Sequence, residues 1–176
     1  MLPLPLLERA KALGEQEGAT LFMTLLGVFA ALLSRYSGQD DIVVASPVAN
    51  RNRLELEGVI GLLVNTLALR VDLQGDPSFG EVLHQVRETA LGAFSNQDLP
   101  FEKLVEELNP ERHLSHAPVA QVMFVLHNAV ERPVTFPGLS HERLGTERGT
   151  AKFDLSFFAA ETPEGLRVSL EYCTDF

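Results

Sequence analysis

Asn65 and Thr66 interrupt an otherwise apolar run, Ile60-Gly61-Leu62-Leu63-Val64-Asn65-Thr66-Leu67-Ala68-Leu69, which Arg70 closes. An asparagine amide brings two donors and an acceptor, and each such group left buried without a partner costs about 1–3 kcal/mol. Asn65 is therefore either a satisfied core or turn amide, or part of the lining of a passage. The densest polar cluster is Asn96-Gln97-Asp98-Leu99-Pro100-Phe101-Glu102. Asp98 lies just before a helix start, where orphan N–H groups and the helix dipole favour a carboxylate. That accounts for Asp98, but not for Asn96 and Gln97 set beside an apolar Leu-Pro-Phe.

Groups able to move a proton are sparse. His113 and His116 are spaced as metal ligands can be, but Pro118 follows and no carboxylate or cysteine lies at a useful spacing. They read as loop histidines, and no metal site is expected. His127 closes an apolar strand and reads as a strand-end polar residue rather than a base. Cys173, the one cysteine, has no activating histidine beside it. There is no Gly-x-Ser-x-Gly elbow and no glycine-rich phosphate loop. The expected set of catalytic residues is empty.

The elements that must position these residues follow from periodicity and punctuation. Leu7–Glu17 is a short amphipathic helix, preceded by a connector, Met1–Leu6, in which Pro5 keeps Leu4 out of the helix. Thr20 caps a second helix to Ser37, apolar on most sides and hence buried, with Gly38 as its stop. Ile42–Ser46 reads as a buried strand and Pro47–Glu57 as a polar loop. A strand begins near Leu63 and runs to Asp72. Ser78 and Glu81 form a capping box for a helix to Ser95. Pro100 suits a first helical position, and Phe101–Leu108 follows as a short helix. Val119–Leu126 is a strand, Arg132–Thr150 is mostly loop or weak edge strand, and Phe153–Ala160 and Leu166–Tyr172 form a hairpin. Three or four helices and about five strands predict an α/β domain, a two-layer sandwich with a mixed sheet covered by helices.

Composition bounds the function. The 176 residues suffice for a single domain, 1–176, with a real core. A net charge of −10 disfavours nucleic acid as a partner. Arg51 and Arg53 are the candidates for a local basic patch facing an acidic partner. The run Leu21–Leu33 is shorter than the roughly 20 residues a membrane span needs. Glu8, Glu15 and Glu17 beside it do not suit a signal peptide. A single cysteine fits a reducing compartment, and a cytoplasmic protein without a membrane partner is the expectation.

Three segments in order resemble those of a nonribosomal peptide synthetase condensation domain, in its C-terminal half. Ile60-Gly61-Leu62-Leu63-Val64-Asn65-Thr66 with Arg70 is similar to the family's Val/Ile-Gly-x-Phe-Val-Asn-Thr motif, Leu63 replacing Phe. Asn96-Gln97-Asp98-Leu99-Pro100-Phe101-Glu102 matches its His/Asn-Gln-Asp-x-Pro-Phe-Glu motif throughout. Arg112, Ser115 and Pro118 match an Arg-Asp-x-Ser-Arg/His-x-Pro motif, with His113 in place of Asp. The closing Glu171-Tyr172-Cys173-Thr174-Asp175-Phe176 is similar to Tyr-Asn-Thr-Asp-Leu-Phe, Cys173 standing for Asn.

The resemblance implies a lobe with the chloramphenicol acetyltransferase-like fold. It implies a tunnel between two such lobes, into which donor and acceptor peptidyl carrier proteins feed phosphopantetheine arms. The acceptor amine then attacks the donor thioester to form an amide. The arms belong to the carriers, so no directly bound cofactor is expected. The family's His-His-x-x-x-Asp-Gly motif lies in the N-terminal lobe, and this chain contains no His-His pair and no Asp-Gly. The resemblance thus places Asn65, Thr66 and Arg70 near the tunnel, and Gln97, Asp98, Arg112 and Ser115 in supporting segments. Both ends read as truncations, and the fragment is expected to be inactive alone. An apolar inter-lobe face would then allow self-association into a homo-oligomer. A silent carrier-binding module is the alternative, or a lobe of a sister epimerisation, heterocyclisation or acyltransferase domain.

Overall fold

The computed structural model describes residues 1–110, 117–127, 138–139 and 149–174. The described elements run β1 (Leu2–Pro3), α1 (Leu4–Gln16), α2 (Leu21–Ser37), β2 (Asp41–Val48), α3 (Leu54–Glu57), β3 (Asn65–Asp72), α4 (Phe79–Ser95), α5 (Phe101–Leu108), β4 (Val122–His127), β5 (Leu155–Thr162) and β6 (Gly165–Tyr172). The strands form one six-stranded sheet in the order β1-β6-β5-β4-β2-β3. β4 is parallel to both β2 and β5, and the remaining pairs are antiparallel. This is the mixed α/β architecture expected from the sequence.

Alternation along the strands makes the two layers. Ile42 and Val44 on β2, Leu67, Leu69 and Val71 on β3, and Phe124 on β4 are buried with Met23, Leu26 and Phe29 of α2 and Val82, Leu83 and Val86 of α4. Residues two apart share a face of a strand, so these strands turn one common face to the helices. Four phenylalanines tie the layers at the centre. Phe124 lies 5.4 Å from Phe22 and from Phe157 and 5.7 Å from Phe29, between ring centroids. A smaller cluster seats Leu7 of α1 on Ala159 and Leu166.

Both predicted N-terminal caps form. Thr20 Oγ1 accepts the Met23 N–H at 3.3 Å, and Ser78 exchanges bonds with Glu81 in a capping box. Bonding to the Ser78 hydroxyl, and then to its backbone N–H, holds the Glu81 carboxyl below its ordinary range.

Several boundaries differ from the sequence reading, each for a tertiary reason. Leu4 opens α1 instead of lying in a connector. Leu2 and Pro3 pair with Leu166 and Gly165, and Leu4 N–H donates to Glu164 O at 3.1 Å, so the sheet edge fixes the entry geometry. Pro5 falls in the first turn, where a missing N–H breaks no helical bond. The close approach requires glycine at 165: its φ is +138°, and a Cβ there would stand 2.8 Å from Leu4 N.

β3 begins at Asn65, two residues later than expected. Its partner β2 ends at Val48, opposite Asn65, so the ladder has nothing to pair with Ile60–Val64. That apolar run is an exposed loop, with Ile60 fully exposed and Leu62 at 90%. β2 itself extends through Pro47 to Val48, and the expected polar loop after it contains the helical turn α3. Pro100 is the N-cap of α5 rather than its first residue. β4 starts at Val122 instead of Val119. Val119 takes φ +70°, and Ala120 N–H bonds Pro118 O at 2.8 Å in a tight turn ahead of the strand. The hairpin strands are Leu155–Thr162 and Gly165–Tyr172, joined by Pro163 and Glu164. Most of the expected Arg132–Thr150 loop lies outside the described residues.

Candidate functional site

The two polar motifs meet. Asn65, the first residue of β3, donates from Nδ2 to Gln97 O at 2.8 Å and to Leu99 O at 2.7 Å. Its Oδ1 accepts the Phe101 N–H at 3.1 Å. Both amide donors and the acceptor oxygen face one segment, the connection between α4 and α5. The last of these bonds serves as a helix cap. Phe101 is the first residue of α5, and the capping position is Pro100, which makes no side-chain cap bond. The orphan N–H is satisfied instead by a residue 36 positions earlier. The Asn65 amide is satisfied, with backbone partners throughout.

A second contact runs parallel to the first. Asn52 Nδ2, on the loop after β2, donates to Asp98 Oδ1 at 3.3 Å. Asp98 and the Gln97 backbone are therefore held from two sides, by the loop after β2 and by the start of β3.

Arg51 organises the loop between those anchors. Its guanidinium donates to Leu56 O, to Val59 O at 2.9 Å and to Gly61 O at 3.3 Å. A planar fork of donors suits such a set of carbonyls. The side chain closes the exit of α3 and fixes the backbone beneath the exposed side chains of Ile60 and Leu62. Arg53, expected with Arg51 on a docking patch, is exposed at the N-cap of α3.

Thr66 lies opposite Pro47 in the β2–β3 ladder. Arg70 is on the same strand face as Thr66 and is mostly exposed. It makes a two-pronged ion pair with Asp41, Nε to Oδ1 at 2.8 Å and Nη2 to Oδ2 at 3.0 Å. Hydrogen bonding to Arg70 holds the Asp41 carboxyl below its ordinary range, and the same contact raises the Arg70 value. The pair stands at the far end of β3 from Asn65. Asn65 and Gln97–Asp98 are thus brought together, whereas Arg70 faces Asp41. Arg112 and Ser115 lie outside the described residues, as do His113 and His116.

His127 ends β4, where the sequence places it. Its ring stacks on Phe158 with centroids 6.2 Å apart and planes 10° from parallel. It lines an open hollow of about 820 Å³ with Arg167, Ser169 and Glu164. Among the described residues, no group of three His, Cys, Asp or Glu side chains is placed to hold a metal. No single described helix is long and apolar enough to cross a membrane.

Asn52 and the stapling role of Arg51 escape sequence reasoning. The only signal is composition: a polar Asn-Arg-Asn-Arg loop facing an apolar one is material for side-chain-to-backbone bonding. As an assembly, the site orders backbone around a polar seam with an apolar rim. Its contacts position groups.

Comparison with known proteins gives a consistent set of relatives. The family model described as Condensation domain matches residues 5–176. A linear gramicidin synthase polypeptide of Brevibacillus parabrevis is 55% identical over 99% of the chain, which spans 2% of that relative's length. Surfactin synthase subunit 1 of Bacillus subtilis is 45% identical over 95% of the chain, which spans 5% of it. Among solved structures, the X-domain from teicoplanin biosynthesis is similar with a TM-score of 0.85 and 30% identity, over 95% of this chain and 39% of that one. The first condensation domain of the calcium-dependent antibiotic synthetase, in complex with a substrate analogue, gives a TM-score of 0.73 and 29% identity. That match covers 95% of this chain and 36% of the other.

Proposed function

The chain belongs to the condensation-domain family of nonribosomal peptide synthetases, and from that premise we propose that it is one lobe of an amide-forming domain. In this reading it supplies one wall of the passage through which a carrier-bound donor thioester meets an acceptor amine. It also supplies part of the surface on which the donor and acceptor carrier proteins dock, each bringing its own phosphopantetheine arm. The proton-handling histidine comes from a complementary lobe bearing His-His-x-x-x-Asp-Gly. The setting is cytoplasmic.

The observation that carries this reading is the threefold bond from Asn65 to the Gln97–Phe101 segment. It joins two of the family's motif segments into one rigid seam at the end of β3. Pre-ordered backbone of this kind holds reactants in register, and misplacement by about 1 Å can cost on the order of 100-fold in rate. The exposed apolar side chains at Leu54, Ile60, Leu62 and Val64 beside the seam suit cover by the complementary lobe. Without that lobe, a second copy of the chain covers the same residues, and light scattering would show concentration-dependent association.

The test is an amide-formation assay with loaded donor and acceptor carriers. The chain alone is expected to give no product. Adding a polypeptide with the complementary lobe should restore turnover. Turnover by the isolated chain would overturn the division of labour, and no product with both lobes present would overturn the assignment.

A further inference from the structure

The sheet parts between two of its central strands. β2 and β4 pair through Val44↔Val122 and Ala45↔Met123 only, although each strand continues beyond these residues. Past this point Ser46 and Pro47 on one side and Val125 and Leu126 on the other line a cavity of about 590 Å³. Phe22 of α2 and Leu91 and Phe94 of α4 complete its apolar walls. The volume falls within the roughly 300–1,000 Å³ of small-molecule sites.

The split is built into the sequence. Thr89 Oγ1 donates to Arg70 O and Gln85 Oε1 accepts from Asp72 N–H, so the even-numbered residues of β3 turn their backbone groups away from β2. Their cross-strand partners on β2, Pro47 among them, therefore turn theirs toward β4. Proline has no N–H, so the ladder loses at Pro47 the bond that this residue would otherwise donate to β4. Charge narrows the ligand. Among the described residues, the carboxylate lining the cleft is Glu161, already engaged by Lys11 at 2.7 Å. Among the described lining residues there is no cation to meet an anionic ligand.

We propose that this cleft receives the aliphatic portion of a neutral medium-chain acyl thioester, lodged between the diverging ends of β2 and β4. The inference rests on the reading of the chain as a lobe that handles tethered acyl groups, and it names a class of acyl group for it. The hydrocarbon lies against Phe22, Phe94 and Leu126. The thioester carbonyl stays at the rim, where water or the second lobe reaches it.

Direct binding to the whole chain tests this. Octanoyl-N-acetylcysteamine should saturably shift the backbone amide resonances of Ser46, Phe94, Val125 and Leu126. Acetyl-N-acetylcysteamine and free octanoate should each bind at least 10-fold more weakly. The sequence contains no tryptophan, so Leu91→Trp, at a position 43% exposed, adds a single reporter whose emission should move to shorter wavelength with the octanoyl thioester. Shifts confined to other residues, equal binding of the acetyl compound, or equal binding of octanoate would each overturn the proposal. Amide formation with short acyl donors does not use the cleft. Turnover without octanoyl binding would therefore remove this inference alone, and octanoyl binding without turnover would remove only the assignment of the lobe.

Discussion

Asn65 caps a helix to which it does not belong: its Oδ1 accepts the N–H of Phe101, the first residue of α5, at 3.1 Å. The same amide donates to Gln97 O and Leu99 O. Asn65→Ala is expected to lower stability by about 1–3 kcal/mol, the range for unmaking partly buried hydrogen bonds. Asn65→Asp should be worse at neutral pH. It keeps an acceptor for Phe101 but turns an oxygen toward two carbonyls. Protonation of the new carboxyl restores a donor, so this variant should recover part of the loss on mild acidification. Urea unfolding at two pH values reads both effects, and an aspartate variant more stable than alanine at neutral pH would refute the donor argument.

Much of this was legible beforehand because it depends on local patterns. The Thr20 and Ser78 caps, the alternation of Leu67, Leu69 and Val71, and the Pro163-Glu164 hairpin each follow from a few neighbouring residues. What escaped depends on distant partners. Ile60–Val64 has the apolar content of a strand, and only the end of β2 at Val48 keeps it out of the sheet. Leu4 enters a helix because β6 anchors the residues before it. The family motifs singled out Asn65 and Gln97 separately, but the hydrogen bond between them spans 32 positions and no local rule supplies it.

Arg51 fastens the loop 56–61 through carbonyls of Leu56, Val59 and Gly61. Arg51→Lys keeps the charge but loses the planar fork, and a single ammonium cannot reproduce the set. Hydrogen bonds to charged groups contribute about 1.5–3 kcal/mol, so amide exchange in this loop should accelerate about 10-fold or more while α2 and α4 stay protected. Exchange measured by mass spectrometry separates the two regions. Unchanged protection of the loop in both Arg51→Lys and Arg51→Ala would show that it holds itself together without the guanidinium.

The Asp41–Arg70 pair predicts an acid-side effect. Asp41 gives up its proton more readily folded than unfolded because Arg70 is bonded to it. Its contribution is therefore present above the ordinary carboxylate value and disappears as the pH falls through the depressed folded value. Arg70→Gln should return the Asp41 titration toward its ordinary value of 3.8, and should make unfolding less acid-dependent in that window. Stability at pH 7 should change little, since both side chains are largely in water. Carboxyl carbon NMR follows Asp41 directly. The pairing has no energetic role if the titration stays where it was.

Two glycines in helices should respond oppositely to alanine. Gly14 on α1 lies against α2: a Cβ there would collide with Thr24 Oγ1 and stand 3.0 Å from Ala19 O. Thr24 is buried and its hydroxyl is bonded to Thr20 O at 3.1 Å, so it has little room to turn away. Gly14→Ala should therefore lose about 1–3 kcal/mol to overpacking, although alanine's helix propensity alone favours it by about 1 kcal/mol. Gly92 on α4 has nothing within 4 Å of a new Cβ, and Gly92→Ala should gain up to about 1 kcal/mol. Adding Thr24→Ala to Gly14→Ala removes the obstructing oxygen and should recover part of the loss. Thermal unfolding of the three variants decides it. If Gly14→Ala and Gly92→Ala shift the midpoint in the same direction, the separation of α1 and α2 is not set by that missing methyl group.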